Sequence, residues 1–145
     1  MMNRTLKIAR EFHWEMGHRL PFHTSGCANI HGHSYKMWVE IEGYCDADGM
    51  MMDYGDMKKL VMPVVDEVDH CFLCDAADEV MLPFLKASGF KYKVVPFTTT
   101  AENLVFHFVD RLWDVFAPFD QVTGLRLRLQ ETDISYAEAE RVREG

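Results

Sequence analysis

His31-Gly32-His33-Ser34-Tyr35-Lys36-Met37-Trp38-Val39-Glu40-Ile41-Glu42 is the stretch that decides the fold. Tyr35, Met37, Val39 and Ile41 share one parity, and Lys36, Trp38, Glu40 and Glu42 share the other. A period of two marks a half-buried strand whose odd-numbered side chains face the core. Ahead of it, Thr5–His13 reads as a further strand with Leu6, Ile8 and Phe12 on one parity, followed by a Pro-, Gly-, Ser- and His-rich loop over Leu20–Asn29. Behind it, Asp46-Ala47-Asp48-Gly49 is a turn signal, which predicts a hairpin returning through Met50–Met52. Asp53 is placed to cap a helix reaching about Val68, with Asp56 three residues on. Ala76–Val95 is less regular and reads as an inserted helical turn and connector. Thr99 and Glu102 have capping-box spacing and open a second helix, with Val105, Phe108, Val109, Leu112 and Phe116 as its core stripe. In the last clear strand, Val122–Glu131, Leu125, Leu127 and Leu129 alternate with Arg126, Arg128 and Gln130. The order predicts an α+β fold in one domain, residues 1–145, with an antiparallel sheet covered by helices on one face. So small a sheet has two edges to protect, and partner subunits are a common means.

A chain of 145 residues with 48% hydrophobic and 26% charged residues is expected to form one globular domain. Its longest apolar runs fall short of the roughly 20 residues a membrane span needs. The N-terminal stretch has no signal-peptide pattern, so the expected compartment is the cytoplasm, with Cys27, Cys45, Cys71 and Cys74 as reduced thiols. A net charge of −8 argues against nucleic-acid binding, which needs clustered Lys and Arg.

His31 and His33 lie two apart in a strand, so both imidazoles project from the core side. Two imidazoles aimed into an apolar interior are costly without a partner, and a divalent metal supplies one. Gly32 leaves room for it, and His18 can give the third nitrogen. Three histidines with an open fourth position describe a catalytic zinc; the bland reading is hydrogen-bonded core or surface histidines. Cys27, in the Gly-rich loop, is either a general base or nucleophile whose pKa a nearby zinc depresses, or a fourth zinc ligand. Glu131 continues the parity of Leu129. It is either a buried carboxylate suited to the paired N–H groups of a guanidine-like heterocycle, or a strand-end residue facing water. Asp69-His70 is either a proton relay or a cation at a helix C-terminus. Cys71-Phe72-Leu73-Cys74 lacks the second Cys pair or redox context that would give its spacing meaning, and His13, His23 and His107 have no spacing signal.

These residues resemble the 6-pyruvoyl-tetrahydropterin synthase and 6-carboxy-tetrahydropterin synthase family. The matching stretches are Gly17–Pro21, Cys27–Tyr35, Asp53–Asp56, Val68–His70, Thr99–Asn103 and Gln130–Thr132, in the family's order. The resemblance implies that His18, His31 and His33 bind Zn2+, and that Cys27 transfers protons with help from Asp69 and His70. It also implies that Glu131 anchors a pterin whose pocket is lined by Thr99, Thr100 and Glu102. It implies a four-stranded antiparallel sheet with two helices, of the tunnelling-fold type, in trimers that close a barrel and stack as a homohexamer. The implied substrate is 7,8-dihydroneopterin triphosphate, whose charge local cations such as Arg19, Lys36, Lys91 or Lys93 would offset. The three-residue gap between Cys27 and His31 is similar to the bacterial 6-carboxy branch of queuosine biosynthesis, in which triphosphate and acetaldehyde are lost. The alternatives are the 6-pyruvoyl product and a non-catalytic zinc- or pterin-binding module.

Overall fold

The computed structural model describes residues 4–145. Its centre is β2 (His31–Gly43), whose odd-numbered residues Tyr35, Met37, Val39 and Ile41 are wholly buried, as the alternation requires. β1 (Leu6–His18) runs antiparallel to β2 along its full length, pairing Leu6 with Gly43 and His18 with His31. On the other side of β2 lies β5 (Val122–Thr132), with Met37 opposite Leu129 and Ile41 opposite Leu125. β6 (Ser135–Val142) folds back onto β5, closed by Asp133-Ile134 and a 2.8 Å contact between the Thr132 and Ser135 hydroxyls.

Two short strands extend the sheet beyond β1. β3 (Cys71–Asp75) is parallel to β1 at Met16 and Gly17, and β4 (Tyr92–Val95) is parallel to β3. The sheet is therefore mixed and six-stranded, in the order β4-β3-β1-β2-β5-β6, not the four-stranded antiparallel one expected. The physical reason lies in β3. Cys71 and Leu73 pack into the main core while Phe72 and Cys74 pack into a second cluster, so the strand is apolar on both faces and shows no alternation.

Three helices are present among the described residues. α1 (Tyr54–Asp66) is capped by Asp53, whose Oδ1 accepts from the amides of Gly55 at 2.7 Å and Asp56 at 3.4 Å. α2 (Met81–Ser88) and α3 (Ala101–Phe116) follow. α1 and α3 cover the inward face, and the expected stripe of α3 is buried throughout. α2 packs with Phe72 and Cys74, on the opposite face of β3, so the helices are not all on one side.

Two local expectations change. The Asp46 turn forms, its Oδ1 accepting from the amides of Asp48 and Met50, but Met50–Met52 does not return as a strand. Both edges of β2 are already taken by β1 and β5, and the chain passes directly into α1. The cap of α3 is Thr100, whose hydroxyl accepts from the Asn103 amide at 3.2 Å, not Thr99.

Candidate functional site

The full-length pairing of β1 with β2 places His18 directly across from His31, on the inward parity of both strands. His33, one pleat further along, completes a triad of rings with centroids 4.6 to 5.1 Å apart. One ring nitrogen from each lies within 4.8 Å of the other two. Gly17 and Gly32 face each other across the strand pair beside this cluster. A Cβ on Gly32 would stand 3.1 Å from the Met16 carbonyl, a tight contact that glycine avoids.

Outer partners set the tautomers of two of the rings. His18 Nδ1 donates to the Thr99 carbonyl at 2.8 Å, and His31 Nδ1 donates to the Asn29 carbonyl at 2.8 Å. With those protons committed, the opposite nitrogens present lone pairs. Nε2 of His18 lies 3.2 Å from Nε2 of His33. Burial lowers the pKa of His18 to about 4; the Thr99 carbonyl opposes the shift, and His31 and His33 add to it. Burial lowers His33 as well, followed by the charge of His31. His33 has no such outer partner among the described residues, so its Nε2 can donate to His18 Nε2 when no ion is bound. Three ring nitrogens this close, with an open side, form a donor set that suits a borderline divalent metal. The residues fit such an ion.

A second group continues from the rings. Tyr35, two residues after His33 on the same parity, is fully buried, with its ring centroid 5.5 Å from that of His33. Trp14 stacks on it at 5.5 Å and 6°. The Tyr35 hydroxyl donates to Oε1 of Glu131 at 3.2 Å. Burial raises the Glu131 pKa, the Tyr35 hydrogen bond opposes this, and nearby Glu102 reinforces it. Glu131, Glu102, Ala101 and Tyr136 line a cavity of about 180 Å³. Thr99 is fully buried and belongs to the His18 support, whereas Thr100 is occupied as a cap. Sequence reading missed Tyr35 as a link between the histidines and Glu131, although its parity was the available signal.

Cys27 sits in a single 3-10 turn, Gly26–Ala28, within the loop that leaves β1 after His18 and enters β2 at His31. Its carbonyl accepts from the Leu20 amide at 2.7 Å, closing that loop on itself. The compact ligand cluster comprises the three histidines without the Cys27 thiol.

Asp69 and His70 form a tight pair, with His70 Nδ1 and Asp69 Oδ1 2.8 Å apart. The pair is fastened to β1. The Glu15 amide donates to Asp69 Oδ1 at 3.1 Å, and the His70 amide donates to the Glu15 carbonyl at 2.6 Å. His70 lines a cleft of about 310 Å³ with Glu15, Gly17, Gly32 and Ser34 of outward parity, and with Met16, His33 and Cys71 of inward parity. Among the described residues no hydrogen bond joins Asp69 or His70 to Cys27 or to the three rings. The four cations considered for a polyanion all have partners within the chain. Arg19 meets Asp78 at 3.0 Å, Lys36 meets Glu11 at 3.0 Å, Lys93 meets Glu67 at 3.3 Å, and Lys91 donates to main-chain carbonyls.

A family model described as 6-pyruvoyl tetrahydropterin synthase matches residues 7–142. The chain belongs to this family. A 6-carboxy-5,6,7,8-tetrahydropterin synthase of Haemophilus influenzae is 36% identical over 140 residues, covering 91% of this chain and 96% of the relative. One of Aquifex aeolicus is 30% identical over 156 residues, again covering 91% of this chain and 96% of the relative. The fold matches a Plasmodium vivax 6-pyruvoyltetrahydropterin synthase structure with a TM-score of 0.81 at 18% identity, covering 97% of this chain and 100% of that one. A Caenorhabditis elegans member matches with a TM-score of 0.67 at 20% identity, covering 99% of each chain. No helix among the described residues is long and apolar enough to cross a membrane.

Proposed function

We propose that the chain is a zinc-dependent 6-carboxy-5,6,7,8-tetrahydropterin synthase. Its substrate is 7,8-dihydroneopterin triphosphate, and triphosphate and acetaldehyde are its by-products. The observation that carries this reading is the convergence of three histidine nitrogens on one open point, with Glu131 tied to the same region through Tyr35. The names of relatives at 30 and 36% identity, matched over nearly their full lengths, support the 6-carboxy product.

His18, His31 and His33 would hold the metal, which would supply Lewis acidity toward bound oxygens and so acidify hydrogens on the adjacent carbons. Glu131 orients the pterin, accepting from the paired N–H groups of its amino-pyrimidine edge, while Tyr35 holds Oε1 in place. Cys27, as thiolate, accepts a proton from a side-chain carbon of the substrate. Its position outside the compact ligand set supports the base role over that of a fourth ligand. His70, oriented by Asp69, donates or accepts a proton at Nε2, since Nδ1 is engaged. That no hydrogen bond among the described residues joins Asp69 or His70 to Cys27 or to the three rings supports their serving a neighbouring subunit's site in a homohexamer.

The test is incubation of zinc-loaded protein with 7,8-dihydroneopterin triphosphate, assaying triphosphate and acetaldehyde together. Equal release of both supports the 6-carboxy product. Triphosphate without acetaldehyde assigns the 6-pyruvoyl product instead, and no turnover with zinc bound reduces the chain to a binding module.

A further inference from the structure

Lys91 lies on the connector between α2 and β4, 22 residues along the chain from Asp69 of the Asp69–His70 pair. Its ammonium makes two short contacts, donating to the Asp69 carbonyl at 2.6 Å and to the Asp66 carbonyl at 2.8 Å. Asp66 is the last residue of α1, and Asp69 immediately precedes His70. Lys91 thus grips both ends of the short turn that carries the chain from α1 to the Asp69–His70 pair. Its own main chain is held to β3, where the Phe72 amide donates to the Lys91 carbonyl at 3.1 Å.

That turn requires holding. His70 has φ 58°, the left-handed region, and is the one non-glycine there among the described residues. A side chain with a Cβ persists in that region only when its surroundings over-determine it. From the β1 side the determinants are the two Glu15 main-chain contacts. From the opposite side the contacts come from Lys91, which also satisfies carbonyls left without partners at the end of α1. A change in the Asp69 carbonyl direction rotates the Asp69–His70 peptide, and with it the 2.8 Å contact that sets the His70 tautomer.

We propose that Lys91 is a positioning residue for His70, acting through the carbonyls of Asp66 and Asp69 to keep Nδ1 of His70 on Asp69 and its Nε2 presented to the cleft. The contribution to turnover rests on the functional reading above; the contribution to ring geometry does not. A Lys that only capped α1 would affect stability and nothing else.

The experiment compares wild type, Lys91→Met and Lys91→Arg as zinc-loaded protein. Ring-nitrogen NMR shifts of His70, assigned by their loss in His70→Gln, report its tautomer at pH 8. Kinetics on 7,8-dihydroneopterin triphosphate report kcat and KM, and thermal melts report stability. Wild type is expected to hold His70 as the Nδ1–H tautomer. Lys91→Met should shift the ring toward a mixture and lower kcat about tenfold, a part of what a positioned acid or base contributes, with KM within about twofold. Lys91→Arg, which can still reach two carbonyls, should restore the tautomer and most of kcat. A lower melting temperature with unchanged tautomer and kcat overturns the proposal. So does a raised KM at constant kcat, which would make Lys91 a substrate ligand. If Lys91→Met does not fold, Lys91→Gln is read by the same criteria. If wild type does not turn over the substrate, the functional reading falls, while the tautomer comparison still decides the role of Lys91.

Discussion

The division of labour between Cys27 and the histidines is the sharpest question at the scale of single residues. A thiol inside the coordination sphere and a thiol beside it predict opposite behaviour of one substitution. Because the three histidines cluster without Cys27, Cys27→Ala is expected to keep one zinc per chain while turnover falls by about 10²–10⁴, the usual contribution of a general base. Metal analysis and kinetics of the same preparation check this; loss of zinc would place the thiol among the ligands. Tyr35→Phe isolates the link to Glu131. It removes one hydroxyl and keeps the ring that stacks on Trp14, so folding and zinc content should be preserved. Without that hydroxyl Glu131 is no longer held in one orientation, so pterin affinity should weaken, by a few-fold to about tenfold as for one neutral hydrogen bond, measured by the fluorescence of bound pterin. At this scale much was legible: parity put His31 and His33 on the inward side, and offered that side for Glu131 as one of two alternatives, which the Tyr35 hydrogen bond decides. The supports of the rings were not legible, because Asn29 and Thr99 act on His31 and His18 through carbonyl groups that every residue possesses.

Among the elements, legibility followed length and exposure. β2 and β5 alternate over many residues with one wet face, and α3 has a long apolar stripe, so all three could be read directly. β3 and β4 are five and four residues long and show too little pattern for periodicity to register. β6 presents only Ala137 and Ala139 to the core, a weak hydrophobic signal. Leu127, fully buried between β2 and the helices, should therefore cost about 2–5 kcal/mol when cut to Ala, read by denaturant unfolding. α1, α3 and β4 share the apolar core and are also joined by ion pairs. Arg111 forks onto both oxygens of Glu67 at 2.7 Å, and Lys93 adds a third contact. The Arg111 hydrogen bonds, with Lys93 behind them, hold the Glu67 pKa at about 2 against an ordinary 4.5. Between those values the unfolded chain binds the proton that the folded chain refuses. The stabilisation is thus complete above pH 4.5 and lost as pH falls through about 2. Glu67→Gln should lower the melting temperature at pH 7 and flatten this acid limb; an unchanged limb would assign the acid sensitivity to other groups.

For the whole molecule, the argument turns on what the sheet leaves open. β3 engages β1 only at Met16 and Gly17, so the edge of β1 over Leu6–Glu15 has no strand beside it among the described residues, and neither does the outer edge of β6. The outward faces of β1, β2, β5 and β6 carry opposite charges at ladder spacing, Glu40 with Arg126, Arg126 with Glu140 and Arg128 with Glu138. A solvated, charged face between two long open edges suits a sheet that continues into other copies of itself and encloses that face, since closure removes edges that would otherwise invite disordered association. Glu15 and Ser34 of that outward face border the cleft of Asp69 and His70, so assembly and activity are expected to be lost together. Light scattering at micromolar concentration should give six times the 16.8 kDa chain mass. On dilution, specific activity should fall at the concentration where the mass falls. A monodisperse single-chain mass with full specific activity would show that one chain carries a complete site, and would remove the assembly from the mechanism.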